Sequence, residues 1–148
     1  MINHSIVLIT GAGGFVGGHL VKMLRDRNNV KIRAVDNKPL DQWFQSSPGV
    51  DNLVLDLRLL ENCRKATSSC THIYNLAADM GGIGYISANH AILTRNNALI
   101  NLHMLEAARL AGVDRYLYTS SACVYPSFLQ DDEDVTPLSE KQAVPADP

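Results

Sequence analysis

The sequence predicts an α/β protein: a Rossmann-type, doubly wound parallel sheet with helices on both faces, truncated after about the fifth strand. Three observations point there. Short β-branched apolar runs alternate with segments whose apolar residues recur at helical spacing. A glycine-rich turn, Gly11 to Gly18, separates the first run from the first helical segment. An acidic residue, Asp36, ends the second run. Repeated βα units connected in this way pair their strands in parallel and carry helices on both faces.

The elements follow in order. Ser5–Thr10 reads SIVLIT, a short run of the kind buried in a parallel sheet. The glycines then open a helix running to about Arg27, with Phe15, Leu20, Val21 and Leu24 expected on its inner side. Val30–Asp36 is the second strand, and 37–50, with Pro39 and Pro48, a surface turn. Asn52–Leu57 is the third strand, Leu59–Ala66 a short helix, and His72–Ala78 the fourth strand. A glycine-rich loop, Asp79–Gly84, leads to a long helix within about Tyr85–Ala111, with Gly112 as its stop signal. Arg115–Ser120 is the fifth strand. From Pro126 the composition changes, with Asp131, Asp132, Glu133 and Asp134 followed by Pro137, Pro145 and Pro148. That stretch reads as a solvated acidic loop and not as a metal site. Residues 1–125 are therefore read as an incomplete dinucleotide-binding domain, and 126–148 as an acidic, Pro-containing tail.

Composition excludes several classes. A chain of 148 residues can bury a real core. A net charge of −2 leaves no basic footprint for nucleic acid. No apolar stretch is long enough to cross a bilayer, so no membrane partner is expected. The apolar run Ile6–Ile9 has no basic region before it and a glycine turn after it, unlike a signal peptide. Three cysteines, Cys63, Cys70 and Cys123, form no disulfide framework, and a reduced, cytoplasmic protein is expected. The five histidines show no HExxH or HxxEH spacing; His90 and His103 read as surface or packing residues, and no metal is expected.

The glycine turn carries the first functional reading. Gly11, Gly14 and Gly17 stand at GxxGxxG spacing between strand and helix, the context that gives such a pattern weight. Gly11 permits the tight turn, Gly14 lets the backbone approach a pyrophosphate, and Gly17 lets helix and sheet pack closely. The helix start offers unpaired N–H groups and a positive dipole end to phosphates. Asp36, 19 residues after Gly17, can accept both hydroxyls of the adenosine ribose and would repel a 2′-phosphate. NAD is therefore expected over NADP, with Lys38 as the nearby cation that opposes this preference. The alternative is a glycine turn without a ligand. No Gly-Lys-Ser/Thr follows the loop, which excludes a P-loop ATPase.

Together these residues resemble a family. GxxGxxG after the first strand, Asp56-Leu57-Arg58 after the third, Asn75-Leu76-Ala77-Ala78 on the fourth, Asn97, and Ser120-Ser121 on the fifth look like extended short-chain dehydrogenases/reductases acting on sugar nucleotides. Within that family, NLAADMGGIG (Asn75–Gly84), Asn89-His90, MLEAAR (Met104–Arg109) and SSACVYP (Ser120–Pro126) resemble the GDP-mannose 3,5-epimerase branch. UDP-hexose 4-epimerases and dTDP-hexose 4,6-dehydratases share the scaffold; Cys123 and Met80-Gly81-Gly82 set this chain apart from them.

The resemblance implies roles. Gly11, Gly14, Phe15, Val16 and Gly17 would hold the pyrophosphate of NAD, Asp36 the adenosine ribose, and Asp56 and Leu57 would flank the adenine. Ala77, Ala78, Asn97 and Ser120 would line the cofactor cleft. Gly81 and Gly82 would approach the hexose of a nucleotide sugar, GDP-mannose or a relative. Ser121 would position that sugar and Cys123 would be an acid/base group, since a thiol near positive charge titrates close to neutrality. Read without the resemblance, Cys123 is a small buried hydrophobe.

The resemblance also implies a Tyr-x-x-x-Lys pair for hydride transfer. None occurs: Tyr74, Tyr85, Tyr116, Tyr118 and Tyr125 are followed at the fourth position by Ala78, Asn89, Ser120, Ala122 and Leu129. The expectation is thus an NAD-binding fragment of an epimerase, inactive by itself, or a non-catalytic dinucleotide-binding module. Homodimerisation through the long helix is implied for the family.

Overall fold

The strands β1 (Ile6–Thr10), β2 (Lys31–Asp36), β3 (Asp51–Val54), β4 (Cys70–Asn75) and β5 (Arg115–Tyr118) lie in the order β3-β2-β1-β4-β5, all parallel, and the order reverses direction between β1 and β4. The computed structural model describes residues 6–27, 30–121, 124–129 and 137–143. It forms two compact units, Met1–Tyr118 and Thr119–Pro148.

The first unit is the doubly wound sheet. Its helices are α1 (Phe15–Arg25), α2 (Leu60–Thr67), α3 (Ile83–Ala88) and α4 (His90–Ala111). Side chains alternate along β1 in the way a strand covered on both faces requires. Leu8 joins Val35, Ile73, Cys63, Ala66 and Met104 in a core beneath α2 and α4. Val7 and Ile9 join Ile32, Ala34, Val21 and Trp43 in a second core beneath α1. Cys63 and Cys70 are free and buried, and both pack into the first of these cores. The elements of the sequence reading are all present, with boundaries moved by a few residues.

Three details differ from expectation. Phe15 is not on the inner side of α1; it is 64 % exposed and its ring meets those of His19 and Phe44 edge-on or tilted. It is the first residue of α1 and lies away from the stripe that Val21 buries, flanked by the partly buried Leu20 and Leu24. The single long helix is two: α3 ends at Ala88, and Asn89, in a non-helical conformation, starts α4. The surface turn of 37–50 holds a short 3-10 turn, Leu40–Gln42, and sends Trp43 into the core. Gly112 ends α4 as expected, at φ 67° and ψ 40°, a left-handed conformation that favours glycine.

The second unit holds two short 3-10 turns, Ser127–Leu129 and Glu140–Ala143. The acidic run Asp131–Asp134 lies outside the described residues. Among the described residues, no helix is long and apolar enough to cross a membrane. No cluster of His, Cys, Asp and Glu among them is placed to hold a metal ion.

Candidate functional site

Where neighbouring parallel strands connect to opposite sides, their carboxyl ends diverge and leave a crevice, the usual ligand position in open α/β sheets. Here that point is the gap between β1 and β4. Thr10, fully buried at the end of β1, ties it together. Its hydroxyl donates to Asn75 Oδ1 at 2.7 Å and accepts the backbone N–H groups of Leu76 and Ala77, each at 3.1 Å. Asn75 Nδ2 donates to Asn101 Oδ1 of α4 at 2.9 Å. The network spans both strand ends and a helix, and it pairs the buried side chains of Thr10 and Asn75 at the crevice floor.

A cleft of about 410 Å³ opens above it. The glycine turn contributes Gly11 and Gly14, and the β2 end contributes Asp36 to Lys38. The segment after β3 supplies Leu55 to Arg58, and the loop after β4 supplies Leu76 to Met80. The volume lies in the range of small-molecule sites.

The turn is shaped by sterics. Gly11 sits at φ +67°, and a Cβ there would lie 2.7 Å from the Leu76 carbonyl oxygen. A Cβ at Gly17 would collide with the Gly11 carbonyl oxygen and lie 2.8 Å from Ala12 Cα. Both neighbours are backbone and cannot turn aside. No side chain caps the start of α1, whose N-cap is Gly14. The first-turn N–H groups therefore remain available to an anion.

Asp36 faces that turn. One carboxylate oxygen accepts Gly13 N–H at 2.9 Å and the other accepts Lys38 N–H at 3.0 Å. Each oxygen keeps lone-pair capacity, enough to accept the two hydroxyls of a ribose. Next to it, Arg58 grips Asp56 in a bidentate pair, with its terminal nitrogen 2.7 Å from Asp56 Oδ2 and its backbone N–H on Oδ1 at 2.9 Å. This hydrogen bonding, with the guanidinium charge, holds the Asp56 carboxyl below the usual carboxylate range. Leu57 is buried beside it, and its carbonyl accepts the Cys63 thiol. Burial pushes that thiol up to about 12, which makes it unreactive.

The loop after β4 is held by side chains. Asn97 clasps the Asp79 backbone from both sides, accepting its N–H at 2.7 Å and donating to its carbonyl at 3.0 Å. Asn96 donates to Asp79 Oδ2 at 2.7 Å, and the Tyr85 hydroxyl donates to Oδ1 at 3.3 Å. The negative charge of Asp79 raises the Tyr85 phenol above its ordinary value.

The expected site residues are therefore distributed as follows. Gly11, Gly14, Asp36, Asp56, Leu57, Ala77 and Ala78 line one cleft. Gly17 lies buried beneath the turn, and Phe15 and Val16 open α1 with exposed side chains. Asn97 reaches the cleft through the Asp79 backbone. Gly81 and Gly82 are exposed on the same loop, Gly82 as the N-cap of α3. Ser120 and Ser121 are exposed in the second unit. Cys123 lies outside the described residues. Sequence reasoning passed over Thr10, Asn96 and Trp43, none of which stands in a recognisable spacing. Arg58 stands within a motif that gives it no role, and the sequence leaves Asp79 open between shaping a sugar pocket and being only loop.

Comparison with known proteins agrees with this geometry. The family model described as "NAD dependent epimerase/dehydratase family" matches residues 7–144. GDP-mannose 3,5-epimerase 1 of Oryza sativa subsp. indica is 44 % identical over 142 residues, covering 96 % of this chain and 37 % of the rice protein. GDP-mannose 3,5-epimerase of Arabidopsis thaliana is 42 % identical over 142 residues, with the same 96 % and 37 % coverage. The chain thus spans little more than a third of the length of these curated relatives. A crystal structure of a short-chain dehydrogenase/reductase superfamily protein from Agrobacterium tumefaciens, with bound NAD, superposes with a TM-score of 0.75 at 26 % identity. It covers 97 % of this chain and 39 % of that one.

Proposed function

The chain belongs to the NAD dependent epimerase/dehydratase family, and from that premise we propose that it is the cofactor-binding portion of a GDP-mannose 3,5-epimerase. The observation that supports this reading is the 44 % identity to the rice enzyme across 142 residues. Its cofactor is NAD, and the residues present fit that group. The glycine turn packs so closely on neighbouring backbone that Gly11 and Gly17 have no room for a Cβ, and a carboxylate stands at the next strand's tip.

In this reading, the first-turn N–H groups of α1 and the backbone of Gly11, Gly14, Phe15 and Val16 bind the diphosphate. Asp36 accepts the adenosine ribose hydroxyls and disfavours a 2′-phosphate. Asp56, kept ionised by Arg58, accepts a hydrogen bond from the base, and Leu57 flanks it. Gly81 and Gly82 face the hexose through their backbone, on a loop that Asn96 and Asn97 hold. When bound, NAD supplies a hydride acceptor for sugar C4. The ketone so formed acidifies the protons at C3 and C5, because the adjacent carbonyl stabilises the carbanion as an enolate. Cys123 takes or returns one of these protons, and Ser121 positions the sugar.

The chain's 148 residues contain no Tyr-x-x-x-Lys pair, the pair to which the family resemblance assigns activation of the C4 hydroxyl. We therefore expect the isolated chain to bind NAD and not turn over GDP-mannose. This observation favours a second reading, a binding module without catalysis. A chimera separates the two. Residues 1–148 replace the matching segment of the rice enzyme, and deuterium entry at sugar C3 and C5 is followed in heavy water. Exchange at both positions supports the epimerase reading. A folded chimera that binds NAD and exchanges neither supports the module. Exposed Ile92, Leu102, Leu105 and Leu110 on α4 support self-association, which sedimentation would measure. A cytoplasmic setting fits the free thiols of Cys63 and Cys70.

A further inference from the structure

We propose that Trp43 is a positioning residue that presets Asp36 and thereby sets the preference for NAD over NADP; this rests on the NAD reading above. Trp43 is the one tryptophan of the chain and is 8 % exposed. It lies on the connection between β2 and β3, outside every motif that the family resemblance uses.

The geometry forms a relay. The Trp43 indole N–H donates to the Lys38 carbonyl oxygen at 2.9 Å. That bond fixes the turn in which the Lys38 N–H donates to Asp36 Oδ1 at 3.0 Å. The other Asp36 oxygen accepts Gly13 N–H at 2.9 Å. Two amide donors, one on each oxygen, fix the plane of the carboxylate as one donor could not. Gly13 is itself pinned by the same segment. Its carbonyl accepts Phe44 N–H at 2.9 Å, and a Cβ there would lie 2.8 Å from Trp43 Cδ1 and 2.9 Å from Asp36 Cγ. Indole, carboxylate and glycine turn are thus packed against one another with no spare volume. The next residue but one, Gln45, lies against Gly18 in the same manner, 2.9 Å from where a Cβ would stand.

The functional consequence follows from charge. A carboxylate that is free to swing can retreat from a 2′-phosphate, and Lys38 is close enough to compensate for it. A carboxylate held on both oxygens cannot retreat, so it keeps both its welcome to the ribose hydroxyls and its repulsion of a phosphate. Trp43 holds the half of that clamp which the glycine turn does not.

The test is calorimetry on the 148-residue chain with ADP-ribose, NAD and NADP. In Trp43→Phe, which keeps a ring and loses the N–H, affinity for NAD and ADP-ribose should fall about fivefold, the size of one lost hydrogen bond. Affinity for NADP should change less than about twofold, so that discrimination narrows. In an Asp36→Asn background the same change should move NAD affinity by less than about twofold, because the relay then has no carboxylate to hold. Equal losses for NAD and NADP, or additive effects with Asp36→Asn, would overturn the proposal and leave the NAD reading intact. Failure of the unsubstituted chain to bind ADP-ribose or NAD would overturn both. Should Trp43→Phe fail to fold, the emission of Trp43 in the unsubstituted chain decides. Saturating ADP-ribose should shift it and nicotinamide mononucleotide, which lacks the adenosine ribose, should not. An emission unmoved by bound ADP-ribose overturns the relay.

Discussion

The two loops that meet across the cleft keep their shape by opposite means. The turn after β1 is held by backbone sterics: Ala12 and Gly13 are buried, and the walls around Gly11 and Gly17 are peptide groups. The loop after β4 is held by side-chain tethers on Asp79, while Met80, Gly81 and Gly82 stand in solvent. The difference matches what each would bind. A diphosphate is the same in every dinucleotide, so a rigid backbone cradle suits it. A sugar differs from one enzyme to the next, and a tethered loop can be reshaped without disturbing the sheet.

The sharpest way to break this contrast is Gly17→Ala. The new Cβ would overlap the Gly11 carbonyl, which cannot rotate away because Gly11 is itself locked against Leu76. Overpacking of this kind costs about 1–3 kcal/mol, only partly offset by the better helix propensity of alanine. A net loss of about 2 kcal/mol is expected, read as a fall in Tm of several degrees, with loss of NAD binding. A variant as stable as the parent would show that the turn is looser than its packing implies.

Asn97→Ala tests the tethered loop. It removes both hydrogen bonds to the Asp79 backbone. The site is only half-buried, so water replaces part of the loss, and about 1–2 kcal/mol is expected in urea unfolding. Hydrogen exchange at the Asp79 amide should speed up, while that at Gly13 should not change. Acceleration at both would mean that the loops are coupled, and the contrast between them would collapse.

A smaller effect belongs to the Asp56–Arg58 pair, which lies between the two loops. Its side chains are 33 % and 41 % exposed, so solvent screens the pair and it contributes about 0.5–1 kcal/mol. The folded-state pKa of Asp56 lies below its unfolded value. The contribution is therefore fully present above the unfolded pKa of about 3.9 and is lost as pH falls through the lower, folded one. The stability gap between the unsubstituted chain and Asp56→Asn should be constant at neutral pH and should close only below about pH 4. A gap that closes near pH 6 would assign the effect to a group other than Asp56.

The backbone-held loop was the legible one. Gly11, Gly14 and Gly17 announce themselves because a missing side chain at fixed spacing has one common cause, and Asp36 follows at a set distance along the chain. The alternation of strands and helices was legible for a related reason: period-two and helical patterns are local. The tethers were not. The family resemblance singles out Asn97 as a cleft residue, but nothing in LTRNNALI says that it and Asn96 turn inward to hold a loop many residues away. Trp43 read as part of a surface turn because its partners, Gly13 and Lys38, come together only when the connection folds back. The break at Asn89 was missed because the residues on either side of it are equally helical in character. Phe15 was misplaced because a large apolar residue next to a glycine turn is ordinarily counted as core.

The same logic gives the smallest effect, and the most direct contrast, at Gly81. A Cβ there would lie 2.5 Å from Tyr85 Cδ1, an overlap comparable to that at Gly17. Judged by distance alone, Gly81→Ala and Gly17→Ala should be equally harmful. They differ in what stands opposite. Tyr85 is 44 % exposed, and its ring can swing outward into water, giving up one long hydrogen bond to Asp79. Gly81→Ala should therefore cost no more than about 0.5 kcal/mol, as exposed substitutions usually do. The displacement should still leave a mark. With the ring moved from Asp79, the phenol loses the negative charge that raises it, and its titration should fall back toward the ordinary tyrosine value. Difference absorbance of the phenolate would follow it. A large stability loss, or a tyrosine titration that does not move, would mean that this loop too is held by its backbone.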